Sequence, residues 1–106
     1  MRISGEIEFE RPERRWAKRH AARAPAGFRE RGRSRTAVEV VDLSTHGCRI
    51  EVSGPLVTGQ RTWISLPTLQ GWEARIVWAE GGVAGLDFVQ PLHPAVADLI
   101  VRRSAA

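Results

Sequence analysis

The chain has 106 residues, enough for one domain with one core and too few for two. Hydrophobic residues make up 42% and charged residues 26%, with four Trp and three Phe, which excludes a wholly disordered chain. Sixteen Lys and Arg against twelve Asp and Glu leave a net charge of +4, and every basic residue except Lys18 is an arginine, whose planar fork suits phosphates and flat rings.

The positive charge belongs to the N-terminal part. Residues 1–35 carry eleven Lys or Arg against five Glu, net +6, while residues 36–106 carry five Arg and seven acids, net −2. Residues 10–35 have only Trp16 and Phe28 as large apolar groups, so residues 1–28 are expected to form a flexible basic arm. The plain alternative for residues 12–23 is a solvated basic helix.

From Arg29 the apolar residues recur with period two: Val38 and Val40, then Cys48, Ile50 and Val52, then Ile64 and Leu66. This alternation predicts half-buried strands over residues 29–90. Trp72, Ala74, Ile76 and Trp78 are expected on one strand face, and Gly81-Gly82 then turns the chain into Ala84, Leu86 and Phe88, a hairpin pattern. Trp63, Trp72 and Trp78 are expected in the core. Pro94 suits the first turn of a helix over residues 93–103, in which Val96, Leu99 and Ile100 form an apolar stripe and Arg102-Arg103 face the negative end of the dipole. Short strands with Gly and Pro turns, followed by one short helix, predict an all-β antiparallel barrel or sandwich with a helical cover.

The cysteine and histidine content narrows the chemistry. The one cysteine, Cys48, excludes an internal disulfide, and His20, His46 and His93 show no zinc-ligand spacing, so no metal site is expected. Cys48 alternates with Ile50 and Val52 and reads as a small core hydrophobe. No apolar run of about 18 residues and no N-terminal leader pattern is present, so no membrane partner is expected and the cytoplasm is the expected address.

Two stretches carry chemistry. The first is Arg14-Arg15-Trp16-Ala17-Lys18-Arg19, and the second is Asp42-Leu43-Ser44-Thr45-His46-Gly47 between two predicted strands. Arg15 and Arg19 make an RxxxR spacing, and Asp42, Ser44 and Gly47 make a DxSxxG spacing. Arg11/Arg15, Arg19/Arg23 and Arg31/Arg35 also have the first spacing. Asp, Ser and Gly together also suit an ordinary turn.

In this order, and with the barrel pattern behind them, the two elements resemble the PilZ family over roughly residues 10–100. Its late hairpin is similar to Val77-Trp78 and Gly85-Leu86-Asp87-Phe88 here. Arg15/Arg19 is the preferred register because Arg14 precedes it and completes the family's doubled arginine. The resemblance implies a six-stranded antiparallel barrel and a receptor for the bacterial second messenger cyclic di-GMP, with no other cofactor. Arg14, Arg15 and Arg19 are then expected to grip phosphates and guanines, and Asp42, Ser44 and Gly47 to hold a guanine and the backbone. The chemistry suits those roles: Arg forks onto phosphate and onto guanine O6 and N7, and a carboxylate accepts from guanine N1 and N2. His46 stands where the family often has a small residue, and it either faces solvent or meets the base. Ligand binding is expected to order the arm over the barrel and to change a surface for a downstream protein, in a monomer or homodimer.

Asp42, Ser44 and His46 also supply the residue types of a hydrolase triad. Their alternate spacing on an extended segment puts Ser44 between the other two, where a triad needs the His in the middle, so no enzyme is expected. Two further readings remain. One is a protein-interaction adaptor that binds no nucleotide, and the other is a small basic nucleic-acid-binding barrel. The net −2 of residues 36–106 and the absence of an arginine and aromatic stripe along the strands weigh against the second.

Overall fold

The structure, a computed structural model, describes residues 19–104. Six strands, β1 (His20–Glu30), β2 (Thr36–Leu43), β3 (Gly47–Glu51), β4 (Arg61–Leu66), β5 (Leu69–Glu80) and β6 (Val83–Phe88), are followed by one helix, α1 (Pro94–Arg102). The strands close a barrel in the order β1-β2-β3-β6-β5-β4, and every neighbouring pair is antiparallel. The expected six-stranded antiparallel barrel with one C-terminal helix is therefore the observed fold.

The interior is built by the period-two residues. Leu43, Ile50, Ile64, Ile76 and Leu86 are fully buried and join Phe28, Val40, Cys48 and Phe88 in one core. Gly81 and Gly82 close the β5–β6 hairpin with φ of 62° and 80°, the two positive values that a type I′ turn requires. At the start of α1 the His93 imidazole caps the helix, its Nδ1 accepting from the Ala95 amide at 3.0 Å. The helix buries Ala97 and Ile100 and packs against β1, while Val96 and Leu99 are only half-buried. Its inner face is thus rotated slightly from the expected stripe.

The barrel begins at His20, where the sequence pattern placed its first strand at Arg29. Residues 20–28 therefore belong to β1, and residues 20–23 are neither arm nor helix. The alternation in β1 is carried by Ala22, Ala24, Ala26 and Phe28, residues whose small apolar signal is masked by Arg23 and Pro25 between them. Residues 1–18 of the expected arm, with Arg14, Arg15 and Trp16, lie outside the described residues.

Two bulges alter the facing of side chains. In β2, Val40 pairs with Ile50 and Asp42 pairs with Arg49, so Val41 and Asp42 together oppose one residue of β3. In β5, Ile76 pairs with Leu86 and Trp78 with Gly85, so Val77 and Trp78 together oppose one residue of β6. Strict alternation would turn Asp42 inward beside Val40 and Trp78 inward beside Ile76. The extra residue turns both to the outer face.

Candidate functional site

The turn between β2 and β3 is fixed by its own polar groups. The Ser44 amide donates to the Gly47 carbonyl at 2.9 Å, the Ser44 hydroxyl donates to the same carbonyl at 3.4 Å, and that hydroxyl accepts from the His46 amide at 3.1 Å. Ser44 is buried, and its hydroxyl is committed to the turn, where the sequence reading aimed it at a phosphate or base. Gly47 is required for contact: a Cβ there would collide with the Leu86 carbonyl on β6. Its role is thus the close backbone approach, and its φ is not positive. The turn is also tied to the chain leading into α1, because the His46 carbonyl accepts from the Phe88 amide at 2.8 Å and the Thr45 carbonyl from the Leu92 amide at 2.7 Å.

This turn pairs Leu43 with Cys48 and so places Asp42 directly across from Arg49. Asp42 is only 4% exposed although it faces outward, because two guanidinium groups cover it. Arg19 Nη1 donates to Oδ1 at 2.8 Å, and Arg49 donates from Nε and Nη2 to Oδ2. The two arginine side chains remain 42% and 48% exposed. A buried carboxylate without partners is costly, so each arginine is fixed by the charge it neutralises while its remaining N–H groups face solvent. Further along the same face, Arg23 bridges the cross-strand pair Glu39 and Glu51 at 3.1 and 3.3 Å and offsets their repulsion.

The row that contains Asp42 and Arg49 continues through Gly85 to Trp78. Gly85 has no side chain, and the Trp78 indole occupies that space directly above it. Trp78, expected in the core, is therefore half-buried on the outer face beside the Arg49 position. Trp72 is likewise half-buried, with its Nε1 donating to the Gln90 carbonyl at 2.8 Å, and Trp63 lies on the outer face of β4. Cys48 does lie in the core, and burial first, then the charge of Asp42, pushes its thiol up to about 12, with Arg19 opposing.

Of the sequence-nominated residues, Arg19, Asp42, Ser44 and Gly47 come together at one end of the outer face, and Arg14 and Arg15 lie outside the described residues. Arg49 was not nominated. Its signal was present, because a tight turn that pairs residue 43 with 48 necessarily brings 42 opposite 49. The triad is not assembled: the Asp42 carboxylate serves arginines, the Ser44 hydroxyl serves the turn, and His46 Nδ1 lies 3.1 Å from the Thr45 hydroxyl. Among the described residues no group of three or more His, Cys, Asp or Glu is arranged to hold a metal ion, and no helix is long and apolar enough to cross a membrane.

Comparison with known proteins places the family and the fold. The model of the PilZ domain family matches residues 13–106. Among solved structures, the fold is similar to the PilZ domain of CeSA from a cellulose-synthesizing bacterium, with a TM-score of 0.58 and 18% identity over 81% of this chain and 92% of that one. No curated protein matches the chain by sequence.

Proposed function

Because the chain belongs to the PilZ family, whose members are binding domains, we propose that it is a receptor for cyclic di-GMP. The observation that carries this reading is the buried Asp42 carboxylate holding Arg19 and Arg49 at one point on the outer face, in a row that ends at the Trp78 indole. A cyclic dinucleotide has two phosphodiester charges and two flat guanines. Half-exposed arginines meet the charges and the O6 and N7 acceptors, and an indole offers a surface for stacking.

Asp42 has a second part in this mechanism. Both of its oxygens already accept from arginine, so a guanine edge that donates from N1 and N2 displaces a guanidinium and frees it for phosphate. Arg14 and Arg15 enter on the family pattern, and the segment bearing them closes over the Asp42 face when the ligand supplies the missing counter-charge. Ser44 and Gly47 keep the turn in shape. Because that turn holds Phe88 and Leu92 through its carbonyls, a shift of the turn reaches α1 and changes the surface offered to a partner protein. The protein performs no reaction on the nucleotide.

Calorimetric titration tests the reading. Cyclic di-GMP is expected to bind with a Kd between ~0.1 and ~10 μM, with cyclic di-AMP weaker and single-stranded DNA weaker still. Arg19→Ala should weaken binding by about 2–4 kcal/mol, since it removes charge-assisted bonds and stacking. Amide exchange over residues 10–18 should slow on binding. Absence of heat with about 100 μM cyclic di-GMP would overturn the proposal, and equal binding of cyclic di-AMP would remove its guanine argument.

A further inference from the structure

The other end of β1 carries a second group of arginines, arranged differently. Arg29, Arg31, Arg33 and Arg35 lie on and around the β1–β2 turn, with Glu30 as the one acid among them. None of the four forms an ion pair among the described residues. Arg29 faces Trp63 across the β1–β4 ladder, and its guanidinium stacks on the indole with 4.2 Å to the ring centroid, while Arg61 approaches the same ring at 5.8 Å. The Arg35 guanidinium lies over Gly27, at a spot where a Cβ would collide with it. Between Arg29 and Arg35 runs a groove of about 370 Å³ that also meets Ser65 and Gly71, and it continues past Gly27 into a neighbouring hollow of about 480 Å³.

We infer that this groove is a docking site for an acidic segment of a partner protein, read by the forks of Arg29 and Arg35. Stacking on Trp63 holds the Arg29 guanidinium in one plane while its N–H edge stays available, the geometry that accepts a carboxylate in two parallel bonds. The Arg35 guanidinium occupies the space above Gly27, which has no side chain to displace it. The two cations thus flank one groove, and among the described residues neither pairs with an acid. The hollow beyond Gly27 includes Pro25, Ala26 and Ala37, which suit the small side chains between acidic residues of an extended peptide. A nucleic-acid strand is disfavoured because the indole face that a base needs is covered by Arg29. Ala21, opposite Asp42, is eight residues from Arg29 along β1, roughly 26 Å of extended strand, so this site is separate from the proposed nucleotide site and does not depend on it.

The test uses the full chain and fluorescence anisotropy of a short fluorescein-labelled Glu-Ala repeat peptide, beside a Gln-Ala repeat and an oligo-dT strand. The Glu-Ala peptide is expected to bind. The variant Arg29→Gln/Arg35→Gln should lose about tenfold or more of that affinity, as each arginine contributes charge-assisted bonds. Trp63→Leu, which releases Arg29 from its stack, should lose about threefold. Arg19→Ala should bind the peptide like the parent, and Arg29→Gln/Arg35→Gln should bind cyclic di-GMP like the parent, which keeps the two readings distinguishable. Equal peptide affinity in the parent and Arg29→Gln/Arg35→Gln would overturn the inference, as would equal binding of the Gln-Ala peptide. Tighter binding of oligo-dT that depends on Arg29 and Arg35 would replace it with a nucleic-acid site.

Discussion

The two ends of β1 use the same side chain to opposite effect. At the first end Arg19 and Arg49 are tied to a buried carboxylate and Arg23 to two exposed ones, so the local charge is largely balanced and the arginines help to hold the barrel together. At the second end Arg29 is stacked on Trp63 and Arg35 lies over Gly27, and among the described residues neither forms an ion pair. What decides the difference is burial of the acid. Asp42 cannot be left without partners, so its arginines are needed by the fold, whereas Arg29 and Arg35 satisfy nothing in the core.

The sharpest way to break this comparison is to remove two arginines from each end. Arg19→Ala/Arg49→Ala removes both partners and the cover of Asp42, so water reaches the carboxylate in part, and it should destabilise the fold by about 2–4 kcal/mol, while Arg29→Ala/Arg35→Ala should cost within about 1 kcal/mol. Denaturant unfolding of both double variants measures the contrast, and equal losses would show that the carboxylate is not the cause.

A smaller effect is expected at the turn that presents Asp42. Gly47→Ala forces a methyl group against the Leu86 carbonyl and should cost about 1–3 kcal/mol, with a lowered Tm. The second end offers a control, because Gly32 has open space around it; Gly32→Ala there tests only the cost of its φ of +76°. If Gly47→Ala costs less than Gly32→Ala, close approach is not what the position requires.

The contrast that is absent at neutral pH belongs to Cys48 beneath the first end. Its thiol rises from 9.0 to about 12 on folding, so the folded state holds the proton more tightly. The contribution is complete below pH 9, and stability should then fall by about 1.4 kcal/mol per pH unit as pH rises towards 12. Cys48→Ala should remove that slope, measured as the difference between the two unfolding curves across pH 8–11. Identical slopes would place the thiol in water.

Much of this was legible in the chain. Alternation at Val38 and Val40, at Cys48, Ile50 and Val52, and at Ala74 and Ile76 identified the core-facing residues, and Gly81-Gly82 located the hairpin, because those signals are local. The start of β1 was not legible, since alanines at 22, 24 and 26 bury little surface each and count only once β1 pairs with β2. Asp42 and Ser44 were recognised as a pair, but their duties were not. Asp42 orients arginines that other strands bring to it, and Ser44 closes a local turn through Gly47 and His46.

The sequence by itself determined that there is one antiparallel β domain, most of the residues that fill it, and a DxSxxG turn between two of its strands. Tertiary structure decided which way the polar residues face. A single extra residue at Val41 and another at Val77 turn Asp42 and Trp78 from the interior to the outer face, and period two cannot reveal where a strand skips a step. It also decided which arginines are neutralised. Pairing Arg19 with Asp42, and stacking Arg29 on Trp63 instead of an acid, joins residues far apart in the chain that only closure of the barrel brings within reach.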